Sequence, residues 1–95
     1  MKTARPRSAW LPPAYEIADA YALQALERGE ADPSMQKRAL AWVIQMAAGT
    51  YEVSYRSGAD GDRETAFAEG RRFVGIEIVK LLKLNTAKLA GDENG

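Results

Sequence analysis

One capped segment with periodic apolar residues limits what this chain can fold into. It runs from Asp62 to Leu84 (DRETAFAEGRRFVGIEIVKLLKL), and its apolar residues recur every three or four positions, which predicts an amphipathic helix. Asp62 is placed to cap the first turn. The interior glycines Gly70 and Gly75 each cost about 1 kcal/mol relative to alanine. We therefore expect close packing where they lie.

Two further helices precede this segment. Apolar spacing, dominated by small residues, predicts a first helix at about 14–28, and Gly29 supplies a left-handed stop. Asp32 followed by Pro33 is an N-cap with proline at the first helical position, which opens a second helix at about 33–48. The small residues of the first helix favour a close approach to its neighbour.

The predicted fold class is all-α. The second helix, at about 33–48, and the third, at about 62–88, form a helical hairpin to which the helix at about 14–28 is added. The loop between the hairpin helices alternates apolar residues at 51, 53 and 55, so a short strand is the alternative there. An isolated strand is not stable, which favours a loop.

The domain organisation follows from these helices. Residues 14–90 form a single three-helix domain. Residues 1–13 contain three prolines and no acid, which predicts an extended basic arm. Residues 91–95 are expected to form a flexible acidic tail.

A helical wheel assigns the core and one unusual carboxylate. Glu77 falls among apolar residues of the third helix, so it needs a basic partner from Arg38, Lys37 or Arg63. Glu69 and Arg72, three residues apart, are expected to pair. The predicted core residues lie on the main faces of the second and third helices: Leu40, Val43, Ile44, Phe67, Gly70, Val74, Ile78 and Leu81.

Composition argues against most enzyme classes. The 95 residues include no cysteine and no histidine, which removes thiolate chemistry, disulfides and the commonest metal ligand and general base. We therefore expect no enzyme, no catalytic, metal or cofactor-binding residues, and no cofactor. The 13 basic and 13 acidic residues cancel, and no apolar run is long enough to cross a bilayer. A membrane partner is not expected.

Two segments are candidate partner-binding surfaces. In the arm, Trp10 is expected to anchor in a groove of a neighbouring subunit. Two alternatives stay open, in which Arg5 and Arg7 follow a nucleic-acid backbone while Trp10 stacks on a base, or the terminus frays with its tryptophan folded back on the first helix. The second surface lies on the third helix, opposite the core stripe, and is predicted to self-associate or to contact another protein: Gly75, Ile76 and Val79, edged by Arg72 and Lys83.

A block of motifs between residues 34 and 84 is more specific than a generic helix pattern. It combines a helix of the type MQKRALAWVIQMA, the joint Gly49-Thr50-Tyr51, then Tyr55 and the stretch TAFAEGRRFVGIEIVKLL. This block resembles a family of small tailed-bacteriophage proteins encoded among portal and capsid genes.

The resemblance implies a non-enzymatic virion structural or assembly protein of the head or portal region, near the head-to-tail connection. It also implies contacts with other virion proteins, homo-oligomers or association with a ring, and a location in the virion after assembly in the host cytoplasm. Two other functions stay open. One is a small phage effector that binds a host or defence protein, and the other is an internal virion protein that contacts nucleic acid through the arm.

Overall fold

The computed structural model describes residues 11–55, 57–58 and 60–94. This part of the chain is helical and contains no strand, which confirms the all-α prediction and makes the strand alternative wrong. The elements are α1 (Ile17–Glu27), α2 (Pro33–Trp42), a π-helical turn (Val43–Ala47), α3 (Gly61–Leu82) and α4 (Thr86–Asn94).

Helix α1 begins at Ile17 rather than at residue 14, because Glu16 forms a reciprocal cap. The Glu16 N–H donates to Asp19 Oδ2 at 2.8 Å, while the Glu16 side chain accepts from the Asp19 N–H. Gly29 ends the helix with φ +73°, and its N–H donates to the Leu26 carbonyl at 3.0 Å. The predicted glycine stop is confirmed.

Helix α2 begins at the predicted cap, since Asp32 Oδ1 accepts from the Met35 N–H at 2.8 Å. It packs on α1 through a seam of alanines, in which Ala22, Ala25 and Ala39 are all less than 5% exposed. Small side chains let the two backbones approach closely, as the sequence predicts. No large side chain of the described residues is fully buried.

The π turn widens the end of α2 and holds the chain that follows it. Thr50 folds back on Ile44, and its N–H and its Oγ1 donate to the Ile44 carbonyl at 3.2 Å and 2.7 Å. Gly49 lies between them with φ +60°, a conformation that favours glycine. The buried residues Ala48, Gly49 and Thr50 therefore form a rigid joint, the 48–50 joint.

Helix α3 crosses this joint with its smallest residues. Gly61, Ala68 and Gly75 are buried and lie seven residues apart on one face. A Cβ on Gly75 would overlap the Thr50 side chain and lie 2.9 Å from the Ala48 Cβ. Helix α3 contacts the π turn but neither α1 nor the body of α2. The predicted hairpin thus meets only at its joint.

Helix α3 starts earlier and ends sooner than predicted. It begins at Gly61, with Asp60 rather than Asp62 at the N-cap. It ends at Leu82, because Asn85 caps a new helix by accepting the Lys88 N–H at 3.0 Å. The predicted helix at 62–88 is therefore two helices. Residues 91–94 belong to α4 rather than to a separate tail, and α4 contacts no other described element.

Candidate protein-contact surface

The apolar stripe predicted as the core of α3 faces solvent. Phe67, Val74 and Leu81 are 46%, 54% and 66% exposed. Gly70 is exposed as well, with no atom within 4 Å of the place where a Cβ would stand. The core prediction is wrong at these positions.

The remaining predicted core residues differ in how far they are buried. Ile44 is buried as predicted, while Val43 and Ile78 are half-buried. Leu40 is exposed, so its assignment is wrong. It directly follows Ala39, so it lies about 100° around α2 from the alanine that packs in the seam with α1.

The face predicted to bind a partner is instead the packed face of α3. Gly75 is buried against the 48–50 joint, and Ile76 and Val79 are half-buried beside it. Arg72 donates from Nε to the Thr50 carbonyl at 3.1 Å and pairs with Glu69 at 3.4 Å, as expected for that pair. The prediction fails because the tight joint accepts only a residue without a side chain. Lys83 alone of this set is exposed.

We call the exposed apolar face the open stripe. It runs along α3 and into the turn after it, spanning roughly 25 Å at 1.5 Å per residue. Two flanking side chains, Phe73 and Leu84, are also about half exposed. The open stripe consists of Phe67, Gly70, Phe73, Val74, Leu81 and Leu84.

One edge of the open stripe continues into a shallow apolar groove beside the π turn. The groove has volumes of about 220 Å³ and 340 Å³ on either side of Arg71. The Arg71 guanidinium lies 5.9 Å from the centre of the Phe67 ring and 3.9 Å from Glu52, and its Nε is buried without a hydrogen-bond partner. The groove is lined by Leu11, Pro12, Pro13, Trp42, Val43, Ala47, Ala48, Phe67, Arg71 and Val74.

Charges of both signs lie within the open stripe, at Glu77, and along its other edge, at Glu69 and Lys80. Glu77 pairs with Lys80 at 3.0 Å and is half exposed. None of the predicted partners pairs with it: Arg38 and Lys37 are on α2, which α3 does not contact, and Arg63 is 14 residues away along α3 itself. Glu69 lies on the same edge as Lys80, directly before Gly70 in the sequence, and also accepts from Ser54 Oγ at 2.9 Å.

A second charged cluster belongs to the packing of α1 on α2. Arg38 donates from Nε to Asp19 and from Nη2 to Glu16, each at 2.8 Å. The pKa of the Asp19 carboxyl is lowered, first by the Glu16 N–H and then by Arg38. The indole N–H of Trp42 donates to the Ala14 carbonyl at 3.0 Å and closes the same end. All these groups cap or join helices, so the cluster has a structural role.

The arm residues Arg5, Arg7 and Trp10 lie outside the described residues, so their predicted contacts stay predictions. Within the described part, carboxylates form no group of three suited to a metal ion. No helix there combines the length and apolarity that a bilayer span requires.

Comparison with known proteins adds no relative. The chain matches no family model, no curated protein and no solved structure at a significant level. The resemblance of residues 34–84 to the tailed-phage family therefore stays a prediction.

Proposed function

We propose that this protein is a non-enzymatic structural or assembly protein of the tailed-phage virion, in the head or portal region, and that it acts by binding other proteins through the open stripe. The proposal combines the resemblance of residues 34–84 with one structural observation. That observation is a largely apolar face on the longest helix, against which no other described helix packs.

The size of this face supports a binding role. Monomeric soluble proteins rarely expose large contiguous apolar patches, and those that exist are often functional. The open stripe carries five large side chains that are each 46% to 66% exposed, while the buried apolar residues in the described part of the chain are five alanines and Ile44. The side chains that could form the largest apolar contacts are therefore at the surface, where another protein can bind them.

The test is the protein content of purified phage particles. Cells that carry the gene are infected or induced, particles are banded by density, and the chain is quantified by mass spectrometry. We expect a fixed number of copies per particle, and we expect Val74→Asp to lose incorporation. The matched control is Ile17→Asp, which places the same charge at an apolar position that is exposed as well, 68% against 54% for Val74, in the first turn of α1.

Two results would contradict the proposal. One is absence of the parent chain from particles while it co-purifies with a host protein, which would identify an effector. The other is retention in particles that is unchanged by Val74→Asp but lost when residues 1–10 are deleted. That result would show that the arm, rather than the open stripe, makes the contact.

A further inference from the structure

We infer that the open stripe binds the open stripe of a second copy of this chain, with the two α3 helices antiparallel about a two-fold axis near Val74. This inference rests on the proposed function only in taking the stripe as a contact surface. It adds the identity of the partner and the geometry of the contact.

The available area is sufficient for a specific contact. A large apolar side chain offers roughly 150–250 Å². Two phenylalanines and three smaller aliphatic side chains of the stripe are about half exposed, so one copy contributes at most on the order of 500 Å². Two copies would bury at most on the order of 1,000 Å², which is the size of a weak, reversible protein interface.

The order of residues along the stripe is self-complementary in the antiparallel direction. Phe67 and Leu81 are each seven residues from Val74, on opposite sides. A two-fold axis at Val74 therefore places Phe67 of one copy against Leu81 of the other, and the reverse. Phe73, next to the axis, meets Phe73 of the second copy as an aromatic pair. Gly70 has open space above it, so the backbones can approach there.

The charges at the edge of the stripe select the same direction. Glu69 and Lys80 lie five and six residues from Val74 on the same side of the helix, so the antiparallel arrangement places each Glu69 beside Lys80 of the second copy. A parallel two-fold arrangement would place the edge that carries Glu69 and Lys80 against the opposite edge of the second copy, so these two residues would not meet. Only the antiparallel dimer therefore brings these opposite charges together.

Sedimentation equilibrium of the purified protein tests the dimer. We expect the parent to associate reversibly and Val74→Asp to raise the dissociation constant at least about 100-fold, because it buries unpaired carboxylates at the axis. Ile17→Asp should leave the constant unchanged. Circular dichroism establishes that each variant is folded. A parent that is monomeric at about 1 mM, a concentration that reveals even weak association, would overturn the inference.

A charge exchange tests the direction and does not depend on Val74→Asp being folded. Lys80→Glu and Glu69→Lys should each weaken association, since each places like charges together twice in the dimer. The double variant should recover the parent constant within about threefold, because the pairs are restored with opposite polarity. If the losses of binding free energy in the two single variants add up in the double variant, the antiparallel geometry is overturned.

Cross-linking gives an independent readout, since the chain has no cysteine. Val74→Cys should form a disulfide dimer, and Phe67→Cys mixed with Leu81→Cys should form mixed dimers. Leu81→Cys by itself should not. Self-cross-linking of Leu81→Cys without the mixed product would show a parallel dimer. A monomer that nevertheless needs Val74 for particle incorporation would leave the proposed function standing and overturn this inference alone.

Discussion

The side chain of Thr50 occupies the space that Gly75 leaves open on α3. This contact joins the end of α2 to the longest helix of the chain, and Thr50 is held in place by its two hydrogen bonds to the Ile44 carbonyl. The contact between Thr50 and Gly75 is so close that any side chain at position 75 must displace the 48–50 joint. It fixes which face of α3 is packed and which is left open.

The two glycines of α3 should respond oppositely to alanine. Gly75→Ala should destabilise the fold by about 1–3 kcal/mol through overpacking, despite the better helix propensity of alanine. Gly70→Ala serves as the control and should stabilise by about 0.5–1 kcal/mol, because the space around it is open. Urea unfolding at low protein concentration measures both. Equal effects of the two substitutions would mean that α3 does not cross the 48–50 joint.

The hydroxyl of Thr50 should contribute to the joint. Thr50→Val keeps the shape of the side chain but removes the Oγ1 hydrogen bond to Ile44, so it should cost about 1 kcal/mol. Thr86→Val, at an exposed position in α4, is the matched control and should change stability by less than about 0.5 kcal/mol. The free energies of unfolding are compared by urea titration. Equal free energies of unfolding for the two variants would show that the Thr50 hydrogen bond does not stabilise the fold.

The alanine seam between α1 and α2 should not tolerate a larger side chain. Ala39 is fully buried, so Ala39→Leu should cost about 1–3 kcal/mol by forcing the helices apart. Ala87→Leu on the exposed face of α4 controls for the change in composition. Thermal unfolding followed by circular dichroism gives the shift in midpoint. A midpoint for Ala39→Leu at or above that of the parent would argue against close packing of these helices.

Acid should weaken the packing of α1 on α2 through Asp19. Its pKa is lowered in the folded state, so the stability it contributes is present above the unfolded pKa of about 3.9 and is lost as pH falls through the folded pKa. Asp19→Asn should therefore be less stable than the parent at pH 7, and the two should converge in strong acid. Asp60→Asn, at an N-cap without a side-chain cap bond, is the control. A stability gap that persists unchanged to the lowest pH would contradict this role of Asp19.

Local chemistry made part of the fold predictable. The Asp32 cap, the Gly29 stop and the Glu69–Arg72 pair depend on neighbours within a few residues, and the structure contains all three. The cap at Asn85 depends on equally local chemistry, but it lies inside a continuous apolar pattern that extended the third helix past its end. A polar residue followed by threonine was the signal for the break.

The face of α3 was not predictable from the wheel, because the wheel treats large apolar residues as buried. Two lines run along this helix, one of large side chains through Val74 and one of small residues through Gly75. Which line is packed depends on the shape of the 48–50 joint, and that shape arises from a π turn with no clear local signature. The spacing of seven between Gly61, Ala68 and Gly75 was the available signal.

The seam of alanines also affects how the molecule unfolds. Heat capacity and denaturant sensitivity of unfolding both scale with the apolar surface that becomes exposed, and alanines hide little of it. We therefore expect shallow, broad melting curves and a small urea slope for a chain of this length. Calorimetry would then show a low heat-capacity increment, and stability would vary only gently between cold and warm conditions.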